Sequence, residues 1–150
     1  MTLEIRATRA DDRSAWERLY AGYADFYANP LTPERADTLF GWILDPGHPV
    51  EGLLALADGE PVGLAHYRDM PSPLRGITIG FLDDLFVDPA ARGSGAAEAL
   101  LAEIGRIGAA RGWPVYRWIT RENNFRARGL YERVSTRTDW VTYEYPCPVA

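Results

Sequence analysis

Three groups of residues carry the chemistry open to this chain. Asp83 and Asp84 stand side by side inside the apolar run Ile77 to Val87, where two carboxylates are costly to bury. Arg92-Gly93-Ser94-Gly95-Ala96-Ala97 follows that run and opens a helical pattern. Asn123-Asn124 and Tyr131 come later, at the start and on the apolar face of a last short helical pattern. The glycine loop offers backbone N–H groups where a helix has no internal partners, and the helix dipole and the Arg92 charge favour an anion there. A pyrophosphate is the natural occupant, although the same glycines suit a ligand-free turn. Strand alternation sends Asp83 to the face of Phe81 and Leu85, and Asp84 to that of Leu82 and Phe86. The two need not share a task, and accepting hydrogen bonds from nearby loops is the simpler use of either. An asparagine can cap the last helix, and Tyr131, four residues after Ala127, also suits a core position.

The elements that must position these groups alternate along the chain. Leu3, Ile5 and Ala7 mark a strand, and Asp11-Asp12 supplies candidate caps for a helix carrying Trp16, Leu19, Tyr20, Tyr23, Phe26 and Tyr27. Asn29-Pro30 ends it, a second helix spans about Pro33 to Leu44, and Asp45-Pro46-Gly47 turns the chain. Gly52 to Ala57 and Val62 to Tyr67 form a hairpin around Asp58-Gly59. The run Ile77 to Val87 reads as a central strand covered on both faces. Ala97, Leu100, Leu101, Ile104 and Gly108 line a helix that Gly112 and Pro114 stop, and a strand from Val115 to Thr120 should pair in parallel with the long one. A helix with Ala127, Leu130, Tyr131 and Val134 on one face and a final strand, Trp140 to Tyr145, complete the order. With 150 residues and no linker or repeat, one α/β domain over 1–150 is expected.

Composition narrows the function. A net charge of −5 argues against a nucleic-acid-coating surface, and no run reaches the roughly 20 apolar residues of a membrane span. The N-terminus carries no secretory pattern, so a cytoplasmic location is the default. Cys147 is the only cysteine, which excludes an internal disulfide, and with only His48 and His66 beside it no metal site is expected. All 16 basic residues are arginine, so the lysine of a Walker phosphate loop is missing. A dinucleotide fingerprint would need a small residue in place of Glu98.

Val87-Asp88-Pro89, then Arg92-Gly93-Ser94-Gly95-Ala96-Ala97 and Leu100-Leu101, resembles the acetyl-CoA motif of the GNAT superfamily, Arg/Gln-x-x-Gly-x-Gly/Ala. Asn124, Ala127, Leu130 and Tyr131 match a second signature of the same family, Asn-x-x-Ala-x-x-Leu-Tyr. The resemblance implies a GNAT fold, a mixed central sheet of about six to seven strands flanked by about four helices. It implies an N-acetyltransferase that uses acetyl-CoA as cosubstrate and requires no metal. By the same resemblance, N–H groups of the Arg92, Gly93, Ser94, Gly95, Ala96, Ala97 loop bind the CoA pyrophosphate. Leu85, Phe86 and Val87 then lie along the pantetheine and thioester, and Asn124 bonds the pantetheine arm.

An amine attacking a thioester must lose a proton, and the departing thiolate must gain one. A phenol is an adequate donor, because thiol and phenol pKa values, about 8.5 and about 10, are close; Tyr131 is therefore the expected general acid. Related acetyltransferases often carry glutamate at the place of Asp83, which suggests a base acting through water, with aspartate one methylene shorter. Tyr23 and Tyr27, on the first helix bordering the family's acceptor groove, are the expected acceptor contacts. Trp118-Ile119-Thr120 and the aromatic tail look most like the subgroup of fungal histone and D-amino-acid N-acetyltransferases, with polyamine acetyltransferases second. A small-molecule amine ranks above a protein lysine, a homodimer is expected, and a non-catalytic CoA-binding module is the competing reading.

Overall fold

A computed structural model describes residues 1–149, in two compact units, the first Met1–Ile119 and the second the described residues from Thr120 on. In the first unit the strands are β1 (Leu3–Ala7), β2 (Glu51–Ala57), β3 (Glu60–Ser72), β4 (Ile77–Val87) and β5 (Tyr116–Arg117), and the helices are α1 (Arg13–Phe26), α2 (Pro33–Leu44) and α3 (Ala96–Arg111). The sheet runs β1-β2-β3-β4-β5, antiparallel except for the parallel pair β4–β5. The second unit holds α4 (Phe125–Val134). The mixed α/β fold and its four α-helices follow the expectation.

Each boundary has a local cause. Thr32 caps α2 by accepting from the Arg35 N–H, and Pro33 fills the first helical position, where no N–H is needed. Asp12 does not cap α1. Its carboxylate instead takes both Arg6 guanidinium nitrogens, at 2.7 and 2.9 Å, and the Arg9 N–H at 2.7 Å, tying β1 to the turn before the helix.

Helices α1 and α2 cover one face of the sheet. Trp16, Leu19, Ala36, Phe40, Leu54, Leu56 and Leu64 form its buried cluster, with Phe86 packed against it. A side chain at Gly22 would collide with the Phe86 ring, so this glycine lets α1 approach β4 closely. Leu100 and Ile104 of α3 are fully buried in the core, and the space beside Gly63 of β3 opens onto Leu100. Trp113 fills a notch between Gly80 of β4 and Gly108 of α3, where any Cβ would overlap its ring.

The sheet departs from expectation at one end. Five strands form among the described residues, not six to seven, because Trp140 to Tyr145 adopts no strand. Trp140, Val141, Tyr143 and Tyr145 are all at least 70% exposed. Alternation reports a pattern of faces; a strand also needs a neighbour to take its N–H and C=O groups. β5 is likewise shorter than the expected Val115 to Thr120, pairing only Tyr116 with Gly80 and Arg117 with Phe81.

Candidate functional site

The register between β3 and β4 corrects the placement of the paired carboxylates. His66 pairs with Asp84 and Tyr67 with Leu82, leaving Asp83 as an extra residue in a β-bulge. A bulge breaks the two-residue period. Asp83 and Asp84 therefore line one cavity instead of opposite faces. The cavity, of about 770 Å³, lies among α1, α2, β3 and β4, and Tyr20, Tyr23, Tyr27, Glu34, Arg35, Trp42, His66 and Arg68 complete most of its wall.

The two carboxylates sit in different surroundings. Asp83 accepts from Arg68 Nε at 3.0 and 3.3 Å, but burial still raises its carboxyl above the ordinary value. Asp84 Oδ2 accepts from Tyr20 at 3.2 Å and lies 2.8 Å from His66 Nδ1. Burial alone would raise Asp84 too; hydrogen bonds from His66, Tyr23 and Tyr20 outweigh it and hold this carboxyl below the ordinary value. Burial and then the neighbouring Asp84 charge push the Tyr20 and Tyr23 phenols well up, so both remain protonated donors.

His66 is fully buried, and its other nitrogen, Nε2, is 3.0 Å from Trp16 Nε1. An indole nitrogen only donates, so Nε2 accepts and the ring proton sits on Nδ1, facing Asp84. Above this floor the α1 aromatics form a ladder. Tyr20 stacks on Trp16 and on Tyr23, with centroids 5.5 and 5.4 Å apart, and Tyr27 meets Tyr23 at 4.9 Å. Trp16 is core, whereas Tyr23 and Tyr27, the expected acceptor contacts, reach the cavity.

Arg35 lines the same cavity from α2, beside Glu34. Its guanidinium donates to Asn29 Oδ1 at 2.7 Å and to the Pro30 carbonyl at 3.3 Å, and no carboxylate pairs with it among the described residues. Its positive charge is felt at the Tyr20 hydroxyl.

From Leu82 to Val87, β4 has β3 along one edge and, among the described residues, no paired strand along the other, because β5 has ended. The backbone of Leu85, Phe86 and Val87 thus has no strand partner on that side among the described residues. Asp88 then caps a short turn by accepting from the Ala90 N–H. Gly93 and Gly95 both adopt left-handed backbone, with φ 82° and 84°, and nothing lies within 4 Å of the space a Gly93 side chain would take. Ser94 Oγ accepts from the Ala96 N–H, while the N–H groups of Gly93, Gly95 and Ala97 make no hydrogen bond among the described residues. With Arg92 exposed beside them and α3 behind, these donors fit a diphosphate.

In the second unit, Asn124 occupies the N-cap of α4, but its side chain makes no capping bond and donates instead to Thr120 Oγ1 at 3.0 Å. Tyr131 follows seven residues, about two turns, later, on the same helix face. Both are half-buried.

Comparison with known proteins accounts for this arrangement. The acetyltransferase (GNAT) family profile matches residues 16–135. The chain belongs to the GNAT acetyltransferase family. It is 30% identical over 142 residues to the D-amino-acid N-acetyltransferase HPA3 of Saccharomyces cerevisiae, covering 93% of this chain and 88% of that one. It is 34% identical over 109 residues to the aminoglycoside N(6')-acetyltransferase type 1 of Stenotrophomonas maltophilia, covering 67% and 63% of the two chains. In fold it superposes on AAC(6')-Iy, solved with a bisubstrate analogue of CoA and acetylneamine, with TM-score 0.82 at 21% identity and 98% and 100% coverage. Membership makes this GNAT protein an acetyl-CoA-dependent N-acetyltransferase.

The residues that sequence reading missed are the supports of the carboxylates. In the sequence, His66 stands out only as one of two histidines that could bind a metal. Its position in an alternating strand was a usable signal, but the strand register was needed to bring it to Asp84. Arg35 and Arg68 carried no spacing signal at all.

Proposed function

We propose that this GNAT enzyme transfers the acetyl group of acetyl-CoA to the primary amine of a small molecule by direct attack on the thioester, with an amino acid as the favoured acceptor. One observation carries the choice. The cavity sets Asp83 and Asp84 on its strand side against Arg35, a cation with no carboxylate partner among the described residues, on its α2 side. An α-amino acid brings an ammonium and a carboxylate, one for each pole, with the tyrosine ladder beside its side chain. A polyamine has no use for Arg35, and a protein lysine would bring a peptide for which the cavity makes no evident provision.

In this reading Tyr131 protonates the departing thiolate and Asp83 receives the amine's proton through a water. The N–H groups of Gly93 to Ala97, with Arg92, bind the pyrophosphate. Leu85, Phe86 and Val87 border the pantetheine, and Asn124 bonds it. Tyr23 and Tyr27 contact the acceptor. A cytoplasmic location fits a chain whose one cysteine is a free thiol. The exposed aromatic tail, Trp140 to Tyr145, supports a homodimer; sedimentation as a monomer at micromolar concentration would remove that part.

The acceptor is tested by measuring thiol release from acetyl-CoA with L- and D-amino acids, polyamines, arylamines and histone-tail peptides. The reading expects the highest kcat/KM among amino acids and a large KM increase for them in Arg35→Ala. Preference for polyamines, indifferent to Arg35, would contradict it.

A further inference from the structure

Trp16 and His66 have no part in the chemistry set out above, yet they place a buried histidine beneath Asp84 at the cavity. Resting on the acetyl-transfer reading, we infer that Asp84 is the cation-binding carboxylate for the acceptor's ammonium and that His66, locked in one tautomer by Trp16, is its positioning residue.

Hydrogen-bond geometry carries this inference. Trp16 Nε1 can only donate, so its 3.0 Å contact makes His66 Nε2 an acceptor and leaves the ring's one proton on Nδ1, 2.8 Å from Asp84 Oδ2. Tyr20 donates to the same oxygen at 3.2 Å. Two donors on one oxygen, one of them fully buried, fix the plane of the carboxylate from beneath. A carboxylate rigidly held by donors is a good seat for an ammonium and a poor acceptor of its proton. Asp83, beside it on the bulge, has no such supports and is paired instead with the partly exposed Arg68.

Every charged or titratable group facing Asp84 bears on the assignment. Tyr20 and Tyr23 approach from α1, with Tyr27 at its C-terminal end lining the same cavity, His66 and Arg68 from β3, and Asp83 from β4. Glu34 and Arg35 face the same cavity from α2. Arg68 is paired with Asp83, and Arg35, whose bond to the neutral Asn29 amide leaves its charge intact, makes no ion pair with Asp84 among the described residues. The negative charge of Asp84 is therefore directed at the cavity, where the acceptor is the cation that meets it.

The test uses the full-length enzyme, the best amine acceptor of the panel, and the analogue carrying a hydroxyl in place of that amine, which serves as a competitive inhibitor. In Asp84→Asn the KM for the amine should rise on the order of tenfold to a hundredfold with a much smaller change in kcat, because charge-assisted binding is lost. The inhibition constant of the hydroxyl analogue should change far less. His66→Leu should follow Asp84→Asn, whereas His66→Asn, whose amide N–H can occupy the Nδ1 site, should recover most of the loss. A purely structural role would weaken amine and hydroxyl analogue alike, and an unchanged amine KM in Asp84→Asn would overturn the inference while leaving turnover intact. If His66→Leu does not fold, His66→Asn tests the positioning role: a near wild-type amine KM supports it, and a KM as high as that of Asp84→Asn overturns it. A wild-type enzyme that acetylates no amine removes the transfer reading, and the ammonium site with it.

Discussion

Adjacent aspartates usually repel and share a fate; in this enzyme their environments separate them. Burial raises Asp83 above the ordinary carboxylate value, whereas hydrogen bonds hold Asp84 below it in spite of burial. Groups pushed apart in this way divide acid–base work, with the raised member the better proton acceptor. A base acts only when ionised, so kcat/KM should rise as pH climbs through the raised Asp83 value. Asp83→Asn should flatten that rise, and an unchanged pH–rate profile would exclude Asp83 as the base. The pair itself was legible in the sequence, because carboxylates inside an apolar strand are conspicuous. Their common cavity was not, since a one-residue bulge reverses the facing that alternation implies, and nothing in the composition of β4 marks a bulge at Asp83.

Elements formed where local pattern and tertiary partners agreed. Helices α1, α2 and α3 and the span of strand β4 could be drawn from periodicity, caps and prolines, because most of the apolar positions that the patterns name are buried, Phe26 of α1 being an exception at 60% exposed. The strand expected at Trp140 to Tyr145 failed because alternation supplies faces and says nothing about a neighbouring strand. Within α3, glycine spacing can be tested. Alanine in a helix interior ordinarily gains up to about 1 kcal/mol over glycine. At Gly105 the nearest heavy atom to a new Cβ is 4.0 Å away, so Gly105→Ala should raise Tm. At Gly108 the same Cβ would overlap Trp113. Overpacking costs roughly 1–3 kcal/mol, enough to cancel or exceed the helical gain, so Gly108→Ala should lower Tm. Equal shifts in the two variants would mean that Trp113 does not occupy the notch.

For the whole molecule, the order of strands and helices and two short motifs carried the family, and the profile over residues 16–135 agrees with both. Acidic composition and the lack of lysine excluded classes of partner without selecting an acceptor. The acceptor depends on which poles line one cavity, and Arg35 comes to the cavity of the carboxylates only once α2 has packed on the sheet. Catalytic turnover is the claim on which the rest depends. Amine-dependent release of CoA thiol should therefore be measured for the wild type and for Tyr131→Phe, with acetyl-CoA binding measured in parallel. The proposed mechanism predicts steady turnover in the wild type, a loss on the order of a hundredfold or more in the variant, and similar acetyl-CoA affinity in both. Binding without turnover in the wild type, or full turnover in Tyr131→Phe, would contradict it.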